Sequence, residues 1–181
     1  HVIALILGED AGLADGQVIS TGSVEFQVVH LPGHSGGHCG FYFPREGFIF
    51  TADIHPEVVP QYAMVESDLD QFIGSIKKLA GMQPDMVIAG HGKAVVKSDV
   101  KLKLQSYLEE FSRRDEEILK RVRNGKHTVG EIADDAITFN GKFPQPRSIY
   151  RLHECMMDWK HLEHLERLGE VICDNGSYHL K

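Results

Sequence analysis

A chain of 181 residues, 42% hydrophobic and 25% charged, has the composition of a folded globular protein and is too apolar for a disordered one. The net charge of −7 sits entirely in residues 1–110, with 7 basic against 14 acidic side chains, while residues 111–181 hold 12 of each. Neither part is a basic nucleic-acid platform, and no apolar run reaches the roughly 20 residues of a membrane span.

The chain opens on His1 and enters directly the strand-like run HVIALIL, without the basic region or cleavage site of a secretory signal. Such an opening reads as a segment preceded by further sequence. Down to Asp53 the pattern is strand and turn. Within VISTGSVEFQVVHL, Val24, Phe26 and Val28 alternate with Glu25, Gln27 and Val29, which predicts a half-buried strand. PGHSGGH forms a glycine-rich loop. Residues 38–43 and 47–51 pair as a hairpin around Pro44-Arg45-Glu46-Gly47.

Helical signals follow Pro60. Ser67, as N-cap, opens a helix whose apolar positions Leu69, Phe72, Ile73, Ile76 and Leu79 recur at helical spacing. DMVIA reads as a short buried strand ending at Gly90-His91-Gly92. A long helix from about Ser98 to Arg123 then bridges to the rest of the chain. Thr128 and Glu131 form a capping box for a helix reaching Ala136. Pro146 stands where a helix start tolerates proline, and Ile149, Leu152, Met156, Trp159 and Leu162 are expected to form the core face of that helix. GEVICDNGSYHLK reads as two strands around Asn175-Gly176. Helix, helix and hairpin outline a winged helix.

Cys39, Cys155 and Cys173 are odd in number and widely spaced, which argues against a disulfide scaffold and points to buried free thiols in a reducing, cytoplasmic setting.

The chemistry concentrates at three strand-to-loop junctions. His34 lies in the glycine-bounded loop, Asp53 follows the apolar strand FIFTA, and His91 follows MVIA between two glycines. Imidazole and carboxylate are good ligands for zinc-like or iron-like cations, and a sheet can hold them rigidly together. His38 and His55 are candidates for places behind these ligands or against a substrate. His30 and Tyr62 are further pocket candidates. The five histidines from His127 onward default to surface or cap roles. Arg147 and Arg151, one helical turn apart, could meet phosphates, but Glu154 and Asp158 intersperse acids on the same helix, which favours a structural or protein-contact role.

Pro32-Gly33-His34-Ser35, Thr51-Ala52-Asp53 and Ala89-Gly90-His91-Gly92 resemble, in order and spacing, the later motifs of the metallo-β-lactamase superfamily. The resemblance covers residues 1–110, and 111–181 look similar to the winged-helix extension of some members. It implies an α/β fold: the second half of an αββα sandwich, followed by a small winged-helix-like domain. It further implies that His34 binds one divalent cation, His91 a second, and that Asp53 bridges them as the catalytic carboxylate. Zinc is the first expectation for the two cations, with iron and manganese as alternatives. The family's HxHxDH motif has no counterpart here, so this segment alone is expected to bind metal poorly. The implied activity is metal-assisted hydrolysis of a small ester or thioester. A ribonuclease-like hydrolase and a catalytically silent interaction module remain alternatives. A homodimer or an upstream half-domain are the expected partners, with no membrane and no nucleic acid.

Overall fold

The structure, a computed structural model, describes residues 12–181, so the opening HVIALIL run lies outside it. Six strands form one sheet in chain order: β1 (Val18–Ser20), β2 (Glu25–His30), β3 (Cys39–Phe43), β4 (Phe48–Ala52), β5 (Met86–Ala89) and β6 (Val95–Val96). The first run divides into β1 and β2 because Thr21 to Val24 close a turn, with Thr21 N–H donating to the Val24 carbonyl over 2.9 Å. β4 and β5 are parallel and all other neighbours antiparallel. The parallel pair needs a crossover, and α1 (Leu69–Met82) supplies it.

The pleat sends alternate residues to opposite faces. Val29, Ile49, Val87 and Val96 pack against Phe72, Ile76 and Leu79 of α1 and against Val100, Leu104, Tyr107 and Phe111 of α2 (Val100–Arg123). The other face carries Phe26, Phe41, Phe43, Phe48 and Phe50, all half-buried, in stacked, tilted and edge contacts with centroids 4.4 to 6.4 Å apart. A mixed sheet with helices on one face is the α/β arrangement that the alternating pattern implies.

The N-cap of α1 is Asp68, whose carboxylate accepts from Gln71 N–H, rather than Ser67. Ser67 is taken by another bond: its Oγ donates to the His34 carbonyl over 2.7 Å.

α2 is 24 residues long, about 36 Å at the rise of an α-helix. Its second half enters a separate core, where Ile118 and Val122 meet Ile132, Ile137, Leu162, Leu165, Val171 and Tyr178. α3 (Val129–Ala133) has the expected capping box but stops short of Ala136, which takes φ 49° ahead of a single 3-10 turn at Ile137–Phe139. α4 (Arg147–Leu168) and the hairpin β7 (Val171–Asp174) and β8 (Ser177–Leu180) follow. Asn175 and Gly176 both have positive φ, as a type I′ turn demands. Among the described residues no helix is long and apolar enough to cross a membrane.

The expected core face of α4 is wrong. Ile149 and Leu152 are 61% and 64% exposed, Met156 and Trp159 are half-buried, and only Leu162 lies inside. The buried face is Glu154, Met157, Asp158, His161 and Leu165. The reason is Arg114 on α2, 1% exposed, whose Nη2 lies 3.1 Å from Glu154 Oε2 and 3.4 Å from Asp158 Oδ1. Burial, opposed by Arg114 and reinforced by Glu154, pushes the Asp158 carboxyl up to about 7. His161 and His164 are buried too, against the surface role expected of them. Cys39 and Cys155 are half-buried and Cys173 exposed, so the thiols are free but none is a core residue.

Candidate metal centre

His34 is set by the loop between β2 and β3. Gly33 has φ +125°, and a Cβ there would stand 2.2 Å from the backbone nitrogen of Phe72. Glycine therefore lets the loop lie directly on the first turn of α1. Asp68 N–H donates to the Gly33 carbonyl at 2.9 Å, and Ser67 Oγ holds the next carbonyl. The His34 Nδ1 is 2.7 Å from the Gln61 carbonyl oxygen. A carbonyl only accepts, so Nδ1 carries the proton and the lone pair is left on Nε2.

Asp53 stands one residue beyond β4. The preceding Ala52 has φ 49°, a left-handed conformation that non-glycine residues rarely adopt outside functional turns. Its carbonyl accepts from Gly90 N–H at 2.6 Å, which draws the end of β4 to the turn carrying His91. Asp53 Oδ1 consequently lies 3.0 Å from His91 Nε2, and Oδ2 lies 3.9 Å from His34 Nε2. The two imidazoles differ in restraint: the His34 side chain is 18% exposed and that of His91 81%.

His55 is buried beneath this group. Its Nδ1 accepts from Glu57 N–H at 3.2 Å and its Nε2 donates to the Lys93 carbonyl at 3.1 Å. Both nitrogens are thus engaged with backbone, bracing the turn after β4 against the turn after β5. His38 is 8% exposed, with its ring centroid 5.8 Å from that of His34. Burial, and then His34, hold its pKa down, and neither ring nitrogen has a hydrogen-bond partner among the described residues. A cavity of about 240 Å³ opens over the group, lined by His34, Asp53, His55 and His91 with Val58, Val59 and Tyr107 as apolar wall. A larger cleft of about 370 Å³ between the end of α1 and the start of α2 contains no imidazole or thiol.

The two oxygens of Asp53 each face one imidazole, so the described residues offer a pair of donors to each of two positions. Among them, no three His, Cys, Asp or Glu side chains converge on a single point. A catalytic zinc takes three protein ligands. The donor chemistry fits divalent cations of the zinc, iron and manganese kind, and the set is one protein ligand short at each position.

His30 and Tyr62 stand outside the cavity wall. His30 Nε2 donates to the Leu13 carbonyl. Tyr62 is 1% exposed in the core, against Phe72 and Phe111. Its Oη donates to His161 Nε2 at 2.6 Å, and His161 Nδ1 in turn meets Asp115 Oδ1 at 2.6 Å. Sequence reasoning missed His161, Asp115 and the pair Asp70–His164. A signal was available: Glu154, Asp158 and His161 recur at spacings of four and three, the periodicity of one helix face.

Arg151 bonds Asp134 at 2.7 Å and the Gly130 carbonyl, and Arg147 lies 3.8 Å from the same aspartate. The pair of arginines with a phosphate-binding look is engaged within the chain.

The sequence profile of the metallo-beta-lactamase superfamily matches residues 3–91. The match takes in His34, Asp53 and His91, and over those residues the chain is similar to that superfamily. A hydroxyacylglutathione hydrolase of Cereibacter sphaeroides is 27% identical over 132 residues, which is 72% of this chain and 51% of the relative. A thioesterase of Emericella nidulans is 30% identical over 84 residues, 46% of this chain and 24% of its own length. A metallo-beta-lactamase family protein of Thermus thermophilus matches with TM-score 0.76 at 22% identity, covering 93% of this chain and 54% of the other. The likeness at that identity concerns the fold. The chain thus spans about half the length of the hydroxyacylglutathione hydrolase and of the Thermus protein.

Proposed function

We propose that this chain is part of a metal-dependent hydrolase acting on a small ester or thioester. The observation that carries the reading is the Asp53 carboxylate, with one oxygen toward His34 Nε2 and the other toward His91 Nε2. In this reading His34 and Asp53 hold one divalent cation, Asp53 and His91 the other, and the remaining ligands come from outside the described residues. Zinc is the first choice of cation. When bound, two such cations supply hydroxide at neutral pH and polarise the attacked carbonyl.

The chain's own residues do the rest. Gln61 fixes the His34 proton on Nδ1 and so keeps Nε2 basic. Asp53 offers two oxygens and a negative charge between two cationic positions. His55 holds the two turns at a fixed separation. Val58, Val59 and Tyr107 give the cavity a dry wall suited to the apolar part of a small acyl group. A cavity of about 240 Å³, in a chain half without net basic charge and with Arg151 bound to Asp134, suits a small substrate better than a nucleic-acid strand. The names of the Cereibacter and Emericella relatives support the same class.

We further propose a winged-helix-like unit at 111–181 after a metal-binding unit at 1–110, and a homodimer or upstream half-domain that completes the site.

The test is elemental analysis of the chain after exposure to zinc and dialysis, beside Asp53→Ala, with thiol release from a glutathione thioester followed in both. About two cations per chain, lost with turnover in the variant, is the outcome expected where a homodimer completes the site. Cations bound without turnover would reject the thioester substrate. Equal, negligible metal in both proteins would reject completion of the site by a homodimer and leave the upstream half-domain as the source of the missing ligands.

A further inference from the structure

The segment from Gln61 to Asp70 touches the metal centre along one edge and α4 along the other. Toward the centre, the Gln61 carbonyl takes the Nδ1 proton of His34, Ser67 Oγ donates to the His34 carbonyl, and Asp68 N–H donates to the Gly33 carbonyl. Toward α4, Lys160 Nζ donates to the Val65 carbonyl at 3.1 Å, His161 receives the Tyr62 hydroxyl, and His164 and Arg167 both pair with Asp70. Every bond to the site loop therefore has a counterpart binding the same short segment to a helix of the C-terminal part.

Tyr62 is the inner member of this set. It adjoins Gln61 in sequence, its ring is fixed between Phe72, Phe111 and the His161 imidazole, and among the described residues its hydroxyl has a single acceptor. That acceptor is itself oriented. Asp115 engages Nδ1 of His161, so the lone pair of Nε2 points at Tyr62. Burial draws the His161 pKa down to about 4, which keeps this lone pair free at neutral pH. The relay Asp115–His161–Tyr62 thus fixes the backbone at residue 62, and with it the carbonyl that selects the His34 tautomer.

We propose that Tyr62, held by His161 and Asp115, is a positioning residue for His34, and that α4 keeps the metal-facing imidazole in register. This rests on His34 being a metal ligand. The chain as it stands provides the test, through the ring nitrogen-15 shifts of His34 in the metal-free state and the affinity for cobalt(II) read from its visible spectrum. Wild type should show a protonated Nδ1 and an unprotonated Nε2. Tyr62→Phe, which deletes only the hydroxyl, should leave the fold intact by circular dichroism, turn His34 into a mixture of tautomers, and weaken cobalt binding about 10-fold. His161→Gln, which retains an acceptor, should fall between. Ile118→Val, which loosens the second core far from the site, should lower the melting temperature and leave the His34 shifts alone. Unchanged His34 shifts in Tyr62→Phe, or an equal change in Ile118→Val, would overturn the proposal. Shifts that move as expected in a chain that binds no cobalt would uphold the relay and reject metal binding by this chain alone.

Discussion

Replacing Arg114 by methionine removes a guanidinium from between two buried carboxyls while keeping most of the side-chain volume. Arg114 is 1% exposed, with Nη2 at 3.1 Å from Glu154 and 3.4 Å from Asp158. Breaking a buried ion pair on one side typically costs about 3–5 kcal/mol, because the remaining charge is left uncompensated. The loss should depend on pH with a definite sign. Asp158 titrates at about 7 in the fold against 3.8 ordinarily, so the folded chain holds a proton that the unfolded chain releases between these values. Its contribution is therefore complete below about pH 4 and fades as pH rises towards 7. Without Arg114 burial of Asp158 acts unopposed, its carboxyl holds its proton to higher pH, and the deficit shrinks where it is neutral. His161 bends the curve of both proteins the other way. With its pKa at about 4, its contribution is complete above about 6.5 and fades as pH falls through 4; Arg114 is among the groups that lower this pKa, so its removal raises it and further reduces the deficit at the lower pH. Urea denaturation at about pH 8 should show a loss of about 4 kcal/mol, and at about pH 5 a loss smaller by at least about 1.4 kcal/mol, the worth of one pKa unit. A loss below about 1 kcal/mol at the higher pH, or one equal at both, would refute the reasoning.

Three further substitutions follow from local geometry. Gly33→Ala puts a methyl group 2.2 Å from the Phe72 nitrogen, and should lower stability by more than about 2 kcal/mol in thermal melts and disturb the His34 imidazole signals. Ala52→Gly relieves a φ of 49° and should raise stability by up to about 1 kcal/mol, whereas an equal loss would show that the turn holds no strain. Thr128→Ala breaks the capping box of α3 and should lower the urea midpoint by an amount equivalent to about 1 kcal/mol, an unchanged midpoint counting against the cap.

Much of the sheet was legible because β2 alternates along most of its length, while β3, β4 and β5 are short apolar runs bounded by glycines or tight turns. The three ligand candidates were legible for the same reason, since each marks a junction where a strand gives way to a loop. What the residues alone hid was pairing across distance. Ser67 looked like an N-cap because nothing local shows that its hydroxyl is bound to the His34 carbonyl. The face of α4 was misread because apolar spacing assumes an apolar partner. Opposite it stand Arg114, Asp115 and Tyr62, and these draw Glu154, Asp158 and His161 inward while Ile149 and Leu152 turn to solvent.

α2 gives its first turns to one hydrophobic core and its last turns to another, with no break in the helix between. A cut at residue 110 would therefore fall not in a linker but in the middle of a hydrogen-bonded rod, stranding Phe111, a member of the sheet-side core, on the fragment that lacks that core. Met157 adds a second tie, since it leaves α4 to join the sheet-side core. The continuous helix and the shared core residues couple the two parts, so a single unfolding transition is the expected result, with frayed halves from a chain divided there.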